Sequence, residues 1–185
     1  DDYQTTIGVD FNHKKVKTDN GEDVSVQLWD IAGQDRFAGL SRIFYNHALA
    51  AIIVFDLFNE ESYKNAAKWK KDVDDKVFLP SGEKIPVLLL GNKCDRLKDG
   101  LSDPIATEEE LVKFAKDYNF FAYFQCSAKT GHNIQEACSQ LIGKVAANNA
   151  KQNNMSQKIA EQKRLEQKEA LVLANNNSHH NSSCC

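Results

Sequence analysis

Asp30, Gly33 and Gln34 fall within the run Trp29-Asp30-Ile31-Ala32-Gly33-Gln34, directly after the alternating stretch Val24-Ser25-Val26-Gln27-Leu28. An aspartate at a strand end, with a glycine three residues on, sets a carboxylate where a metal could sit. The glycine leaves a bare backbone N–H where a phosphate could sit. Gln34 adds an amide that donates and accepts at once, as is needed to hold a water against a phosphoryl group. Asp-x-x-Gly is equally an ordinary way to end a strand in a turn, so the other polar loops must decide.

Open α/β sheets bind ligands beyond the carboxyl ends of their strands. Asp30 follows one candidate strand, Asn92-Lys93-Cys94-Asp95 a second, and Ser127-Ala128-Lys129 a third. Asn-Lys-x-Asp suits guanine: the Asp95 carboxylate can accept from N1–H and the 2-amino group together, while the Asn92 amide can donate to N7. Adenine lacks that donor pair, and a carboxylate left unpaired rejects such an analogue by roughly 10⁴ to 10⁵. Ser127 and Ala128 would present backbone N–H groups to the 6-oxo group, with the stems of Lys93 and Lys129 over the base faces. Each motif alone is also a plain polar loop; the three in this order are much less often a coincidence.

The elements that must position these loops alternate. Gly8 to Thr18 and Val24 to Trp29 read as an antiparallel hairpin around Asp19-Asn20-Gly21-Glu22-Asp23. Leu49 to Phe55 and Ile85 to Leu90 are continuous apolar runs, as in parallel strands covered on both faces. Between them, Glu60 to about Val77 is helical, with Ala66, Trp69, Val73 and Val77 on one side. Thr107-Glu108-Glu109-Glu110 is a capping box opening a helix with the stripe Leu111, Phe114, Ala115 and Tyr118. A strand follows at Phe120 to Gln125. The last core helix starts near Asn133 and carries Ile134, Ala137, Cys138, Leu141, Ile142 and Val145. The expected class is α/β, a sheet with helices on both faces. From about Ala147 the composition turns to Asn, Gln, Lys and Ser, which predicts a mobile tail (149–185) with a weak helical patch from Met155 to Leu173.

The 185 residues suit one domain plus that tail, and a hydrophobic fraction of 42% supplies a core. A formal net charge of -3 offers no global basic field for nucleic acid. Five cysteines at irregular spacing (Cys94, Cys126, Cys138, Cys184, Cys185) argue for a reducing compartment rather than a disulfide frame. No apolar run approaches the roughly 20 residues that span a bilayer, so any membrane attachment is expected to be peripheral.

Together these motifs resemble a Rab-type small GTPase of the Ras superfamily, over residues 1 to about 148 and the final cysteine pair. The Rab-like segments are Ile7-Gly8-Val9-Asp10-Phe11, Trp29 to Phe37, and Cys184-Cys185. Ile31, the stretch from Lys76 to Pro86 and the hairpin length resemble the branch tied to lysosome-related organelles. The resemblance implies a P-loop NTPase-like fold, GTP and GDP as ligands, and Mg²⁺. It implies that Thr6 (with Thr5 as rival) and, through water, Asp30 reach the metal. Gly33 would give its N–H to the γ-phosphate and Gln34 would aim the water. Loss of the γ-phosphate would then release the segments around these residues. Phe11, Trp29 and Phe44, with Ile7 to Asp10, match an effector-reading surface, although aromatics on strands are often core. Asp35 stands where the family usually has Glu.

Cys184-Cys185 resembles a double-geranylgeranyl ending, and two lipids anchor stably where one does not. The implied partners are effectors, exchange factors, GTPase-activating proteins, a prenyl chaperone and the cytoplasmic face of endomembranes, with a soluble cytosolic pool.

One departure stands against this. No Gly-x-x-x-x-Gly-Lys-Ser/Thr occurs, and Gly143-Lys144, the only Gly-Lys pair, is followed by Val145. By resemblance, the first strand, the phosphate loop and the first helix are lacking, which predicts weak or absent Mg-GTP binding by these 185 residues. The start at Asp1-Asp2-Tyr3, without methionine, implies an upstream piece of a slow GTP-hydrolysing traffic switch. The alternative is a lipid-anchored interaction module without GTP turnover. An unrelated nucleotide-binding enzyme would need a substrate domain or catalytic pair, and none is visible.

Overall fold

A computed structural model describes residues 9–18, 21, 23–31, 45, 47–98 and 103–180. The chain divides into two compact units, Asp1–Val145 and Ala146–Cys185.

Within the first unit, β1 (Val9–Lys17) and β2 (Asp23–Ile31) form the expected antiparallel hairpin, from Val9 opposite Ile31 to Lys17 opposite Asp23. Gly21 takes the left-handed φ of +80° that the return requires, and its N–H donates to the Thr18 carbonyl at 2.8 Å. Among the described residues, a separate three-stranded sheet has the order β3 (Ala51–Asp56), β4 (Val87–Asn92), β5 (Ala122–Gln125), all parallel. Its crossovers are α1 (Glu60–Lys76) and α2 (Glu108–Asp117). Asn59 caps α1 by accepting from Ser62 N–H at 2.9 Å. The Thr107 capping box opens α2 as expected, with Glu110 N–H to Thr107 Oγ1 at 3.3 Å and Thr107 N–H to Glu110 Oε2 at 2.8 Å.

The alternation of β4 sorts the core onto two faces. Val87 and Leu89 join Ile53 and Phe55 under Ala66 and Val73 of α1 and Leu111 and Ala115 of α2. Leu88 and Leu90 point the other way, against Ala137 and Leu141 of α3 (Ile134–His180). Helices on both faces explain why β4 reads as an unbroken apolar run. Burial of each such leucine contributes about 1.5–3 kcal/mol.

In the second unit the helix continues to His180, where composition alone predicts a coil with a helical patch. No Gly or Pro occurs after Gly143, and Ala, Gln, Lys, Glu and Leu are strong helix formers, so nothing local ends the helix. From Asn153 to Arg164 the described side chains are exposed, as the polar composition requires.

Candidate functional site

The parallel ladder runs on past the ends of β4 and β5. Cys126 N–H donates to the Gly91 carbonyl at 2.8 Å, and Cys94 N–H to the Cys126 carbonyl at 3.0 Å. This brings Asn92-Lys93-Cys94-Asp95 beside Ser127-Ala128-Lys129. Lys93 makes the turn with φ of +73°, a left-handed conformation that costs a non-glycine residue about 1–3 kcal/mol and is held by its surroundings. Beyond Ser127 the chain closes tightly. Ser127 N–H donates to the His132 carbonyl at 3.2 Å, and Gly131, at φ +79°, donates to the Ser127 carbonyl at 2.8 Å. Asn133 Nδ2 then donates to the Gln125 carbonyl at 2.8 Å, fixing the entry into α3.

The side chains interlock across these two loops. Ser127, fully buried, donates from Oγ to Asp95 Oδ1 at 2.6 Å and accepts from Thr130 N–H at 3.2 Å. The Ser127 bond is the main reason the Asp95 carboxyl lies below the ordinary carboxylate range; desolvation opposes it, and Lys129 and Arg96 assist. Asp95 is therefore an anion near neutral pH, with acceptor capacity left for a ligand's donor pair. Asn92 Oδ1 accepts from Ala128 N–H at 2.9 Å, so its Nδ2 faces away from that bond and can donate. An anionic acceptor beside a free amide donor fits the Watson–Crick and N7 edges of guanine.

One expectation changes. Ser127 N–H and Ala128 N–H are both engaged inside the protein, with His132 and Asn92, rather than open for a 6-oxo group. The Ser127 N–H, shielded from water, takes the nearest acceptor. An incoming carbonyl would share Ala128 N–H with Asn92 or displace it.

Sequence reasoning missed the neighbour at the end of β3. Lys93 Nζ pairs with Asp56 Oδ2 at 2.8 Å. Asp56 is itself held, with Oδ1 accepting from Phe58 N–H at 3.0 Å and its own N–H donating to Ser62 Oγ at 3.0 Å. The Arg96 guanidinium lies 4.2 Å from the Phe58 ring centroid and steadies the same corner. Asp56 ends β3 as Asn92 ends β4, so its signal in the sequence is the same strand-end position.

Behind Asp95 lies a half-open cleft of about 590 Å³ whose walls include Cys94, Glu108, Tyr123, Gln125 and Asn133. Burial raises the Glu108 carboxyl above its usual range, and Gln125 Nε2 donates to it.

The hairpin carries the other candidates. Asp30 sits in β2 opposite Asp10, in a different sheet from Asn92. Phe11 and Trp29 are in register, 64% and 51% exposed, with ring centroids 5.6 Å apart, so both lie on the surface rather than in the core. For Val9 the backbone alone is described. Thr5, Thr6, Ile7, Gly8, Gly33, Gln34, Phe44, Cys184 and Cys185 lie outside the described residues. Among the described residues, no cluster of three or more His, Cys, Asp or Glu could hold a metal, and no helix is long and apolar enough to cross a membrane.

Comparison with known proteins shows the family. The Ras family model matches residues 1–147. The chain is 44% identical over 146 residues to Ras-related protein Rab-32 of Mus musculus, covering 79% of this chain and 64% of that protein. It is 42% identical over 152 residues to Ras-related protein Rab-32A of Dictyostelium discoideum (82% and 68%). Against Ras-related protein Rab-7L1 of Homo sapiens it is 41% identical over 146 residues (79% and 70%). The matched part thus spans a little under two thirds of the mouse relative.

Proposed function

Since the chain belongs to the Ras family, within its Rab group, we propose that it is a GTP-binding switch in vesicle and membrane trafficking. The observation that carries this is the Asp95–Ser127 and Asn92–Ala128 pairing, which holds an ionised acceptor and an amide donor side by side. Asp95 accepts from N1–H and the 2-amino group, Asn92 donates to N7, and the stems of Lys93 and Lys129 cover the base faces; Ser127 and Ala128 complete the site by holding Asp95 and Asn92, with Ala128 N–H shared with or yielded to the 6-oxo group. Asp30 and Thr6 are the residues for Mg²⁺, Asp30 through water, and the ion when bound supplies charge neutralisation between phosphates. Gly33 offers its N–H to the γ-phosphate, and Gln34 orients the water for slow hydrolysis.

The exposed Phe11–Trp29 pair, with Ile7 to Asp10 and Phe44, is the surface for effectors. Exchange factors, GTPase-activating proteins and a prenyl chaperone are the remaining partners. Geranylgeranyl groups on Cys184 and Cys185 place the protein on the cytoplasmic face of endosomal, lysosome-related or phagosomal membranes, alongside a cytosolic pool.

The test is calorimetric titration of the 185-residue chain with GDP and with ADP, beside the variant Asp95→Ala. Weak binding that favours GDP by at least about tenfold and is lost in the variant supports the reading. Equal affinity for the two bases would overturn it. Guanine selectivity that persists without any GTP turnover, even with an activating protein present, would favour the lipid-anchored interaction module instead.

A further inference from the structure

At the far end of β3, Asp56 is held by two bonds of its own and offers its remaining oxygen to Lys93. Phe58 N–H occupies Oδ1, Ser62 Oγ accepts from the Asp56 N–H, and Oδ2 lies 2.8 Å from Lys93 Nζ. Ser62 is itself fixed at the start of α1: its N–H donates to Asn59 Oδ1 at 2.9 Å, and its Oγ donates to the Asn59 carbonyl at 2.8 Å. The first turn of α1 is thereby tied through Asp56 to the loop after β4.

Lys93 is the member of the base-reading loop whose backbone departs from the ordinary regions, with φ of +73°. It lies directly between Asn92, whose Oδ1 binds Ala128 N–H, and Cys94, whose N–H binds the Cys126 carbonyl. Its backbone is fixed by these neighbours and its ammonium is fixed by Asp56. The four-carbon stem is therefore stretched from the end of β4 to the end of β3. Lysine loses much rotamer freedom when it is ordered, and a stem ordered beforehand spares a ligand that loss. Asp56 is 21% exposed at the side chain and Lys93 51%, so the anion is sheltered while the stem keeps an open flank.

From this geometry we infer that Asp56 is a positioning residue for the nucleotide site: it holds the Lys93 stem as a ready-made apolar floor for the face of a guanine base. The inference rests on the guanine reading given above. Asp56 acts through Lys93 and does not itself touch the base.

The experiment measures the equilibrium affinity and dissociation rate of N-methylanthraniloyl-GDP for the full chain in a double-mutant cycle. Asp56→Asn keeps an oxygen for Phe58 N–H and removes the charge facing Lys93. Lys93→Met keeps most of the stem and removes the ammonium. Each single variant is expected to weaken binding about three- to tenfold, mainly through faster release, and the double variant no further than Lys93→Met. Asp56→Glu, which keeps the anion, recovers part of the loss.

A merely structural aspartate would cost the same with or without the lysine ammonium, and that outcome overturns the inference. Unchanged affinity in Asp56→Asn, or tighter binding because Lys93 is released, overturns it too. Should Asp56→Asn fail to fold, Lys93→Met still decides: unchanged release in that variant is the overturning result. If the unsubstituted chain binds GDP no better than ADP, the guanine reading itself has failed. Guanine preference with an inert Asp56 removes this inference alone.

Discussion

Ser127 Oγ donates to Asp95 Oδ1 across 2.6 Å, joining residues 32 apart in the chain. The serine is fully buried, and its hydrogen bond is the main influence that lowers the Asp95 carboxyl below the ordinary carboxylate range.

Ser127→Ala removes the largest influence lowering the Asp95 pKa, so that pKa should rise toward the ordinary carboxylate value of about 3.9. The sign follows from linkage. A depressed folded pKa contributes binding and stability that are present above the unfolded value and lost as pH falls through the folded value. Guanine-nucleotide affinity in the unsubstituted protein should therefore persist to lower pH than in Ser127→Ala. Titrations at stepped pH should show the acid limb moved upward, with binding near neutrality weaker by roughly tenfold. Coincident acid limbs would show that Ser127 does not control Asp95.

Asp74 and Lys84 differ sharply in what they hold. Lys70 is buried in α1 and gives both short contacts, 2.7 and 2.6 Å, to Asp74, which Lys84 also reaches at 3.2 Å. Asp74→Ala leaves the Lys70 ammonium buried with the Phe120 ring 5.6 Å away, and should cost about 3–5 kcal/mol in denaturant unfolding. Lys84→Ala, at a side chain 57% exposed, should cost under about 1 kcal/mol. Similar losses for both would contradict the account.

Gly91 in β4 leaves no room for a side chain. A Cβ there would meet Leu57 Cδ2 at 2.8 Å, Tyr123 Oη at 3.1 Å and Phe55 Cζ at 3.2 Å. Phe55 and Leu57 are fully buried and have little room to move. Gly91→Ala should cost about 1–3 kcal/mol and lower the thermal midpoint, although alanine is otherwise acceptable in a strand. An unchanged midpoint would show that the corner relaxes freely.

Burial pushes the Cys126 thiol up to about 11, with Cys94 and Cys138 adding smaller upward influences. At pH 8 only about one molecule in a thousand would carry the thiolate, and the residue is almost wholly buried. Iodoacetamide should leave Cys126 unmodified in the folded protein and label it fully in denaturant, as read by peptide mass spectrometry. Rapid labelling under native conditions would refute this.

Much of this was legible in the chain because it rests on local rules. The Thr107 capping box, the hairpin around Gly21 and the unbroken apolar run of β4 each follow from a few adjacent residues. Asn92-Lys93-Cys94-Asp95 and Ser127-Ala128 were visible as site candidates because both follow strands of a parallel sheet. The length of α3 was not legible, since composition reports what cannot be buried and not where a helix without Gly or Pro must stop.

The sequence by itself determined the element types from β1 to the start of α3, the two-faced sheet and the chemical identity of the candidate site residues, because periodicity and strand-end position are properties of neighbours in the chain. Only the tertiary structure decided which of those groups bond to one another. That Ala128 N–H is taken by Asn92, that Ser127 Oγ donates to Asp95, and that Asp56 holds Lys93 all depend on strands 30 or more residues apart lying side by side. Hydrogen bonds form at about 3 Å, and no local pattern in the sequence fixes distances between remote segments so closely.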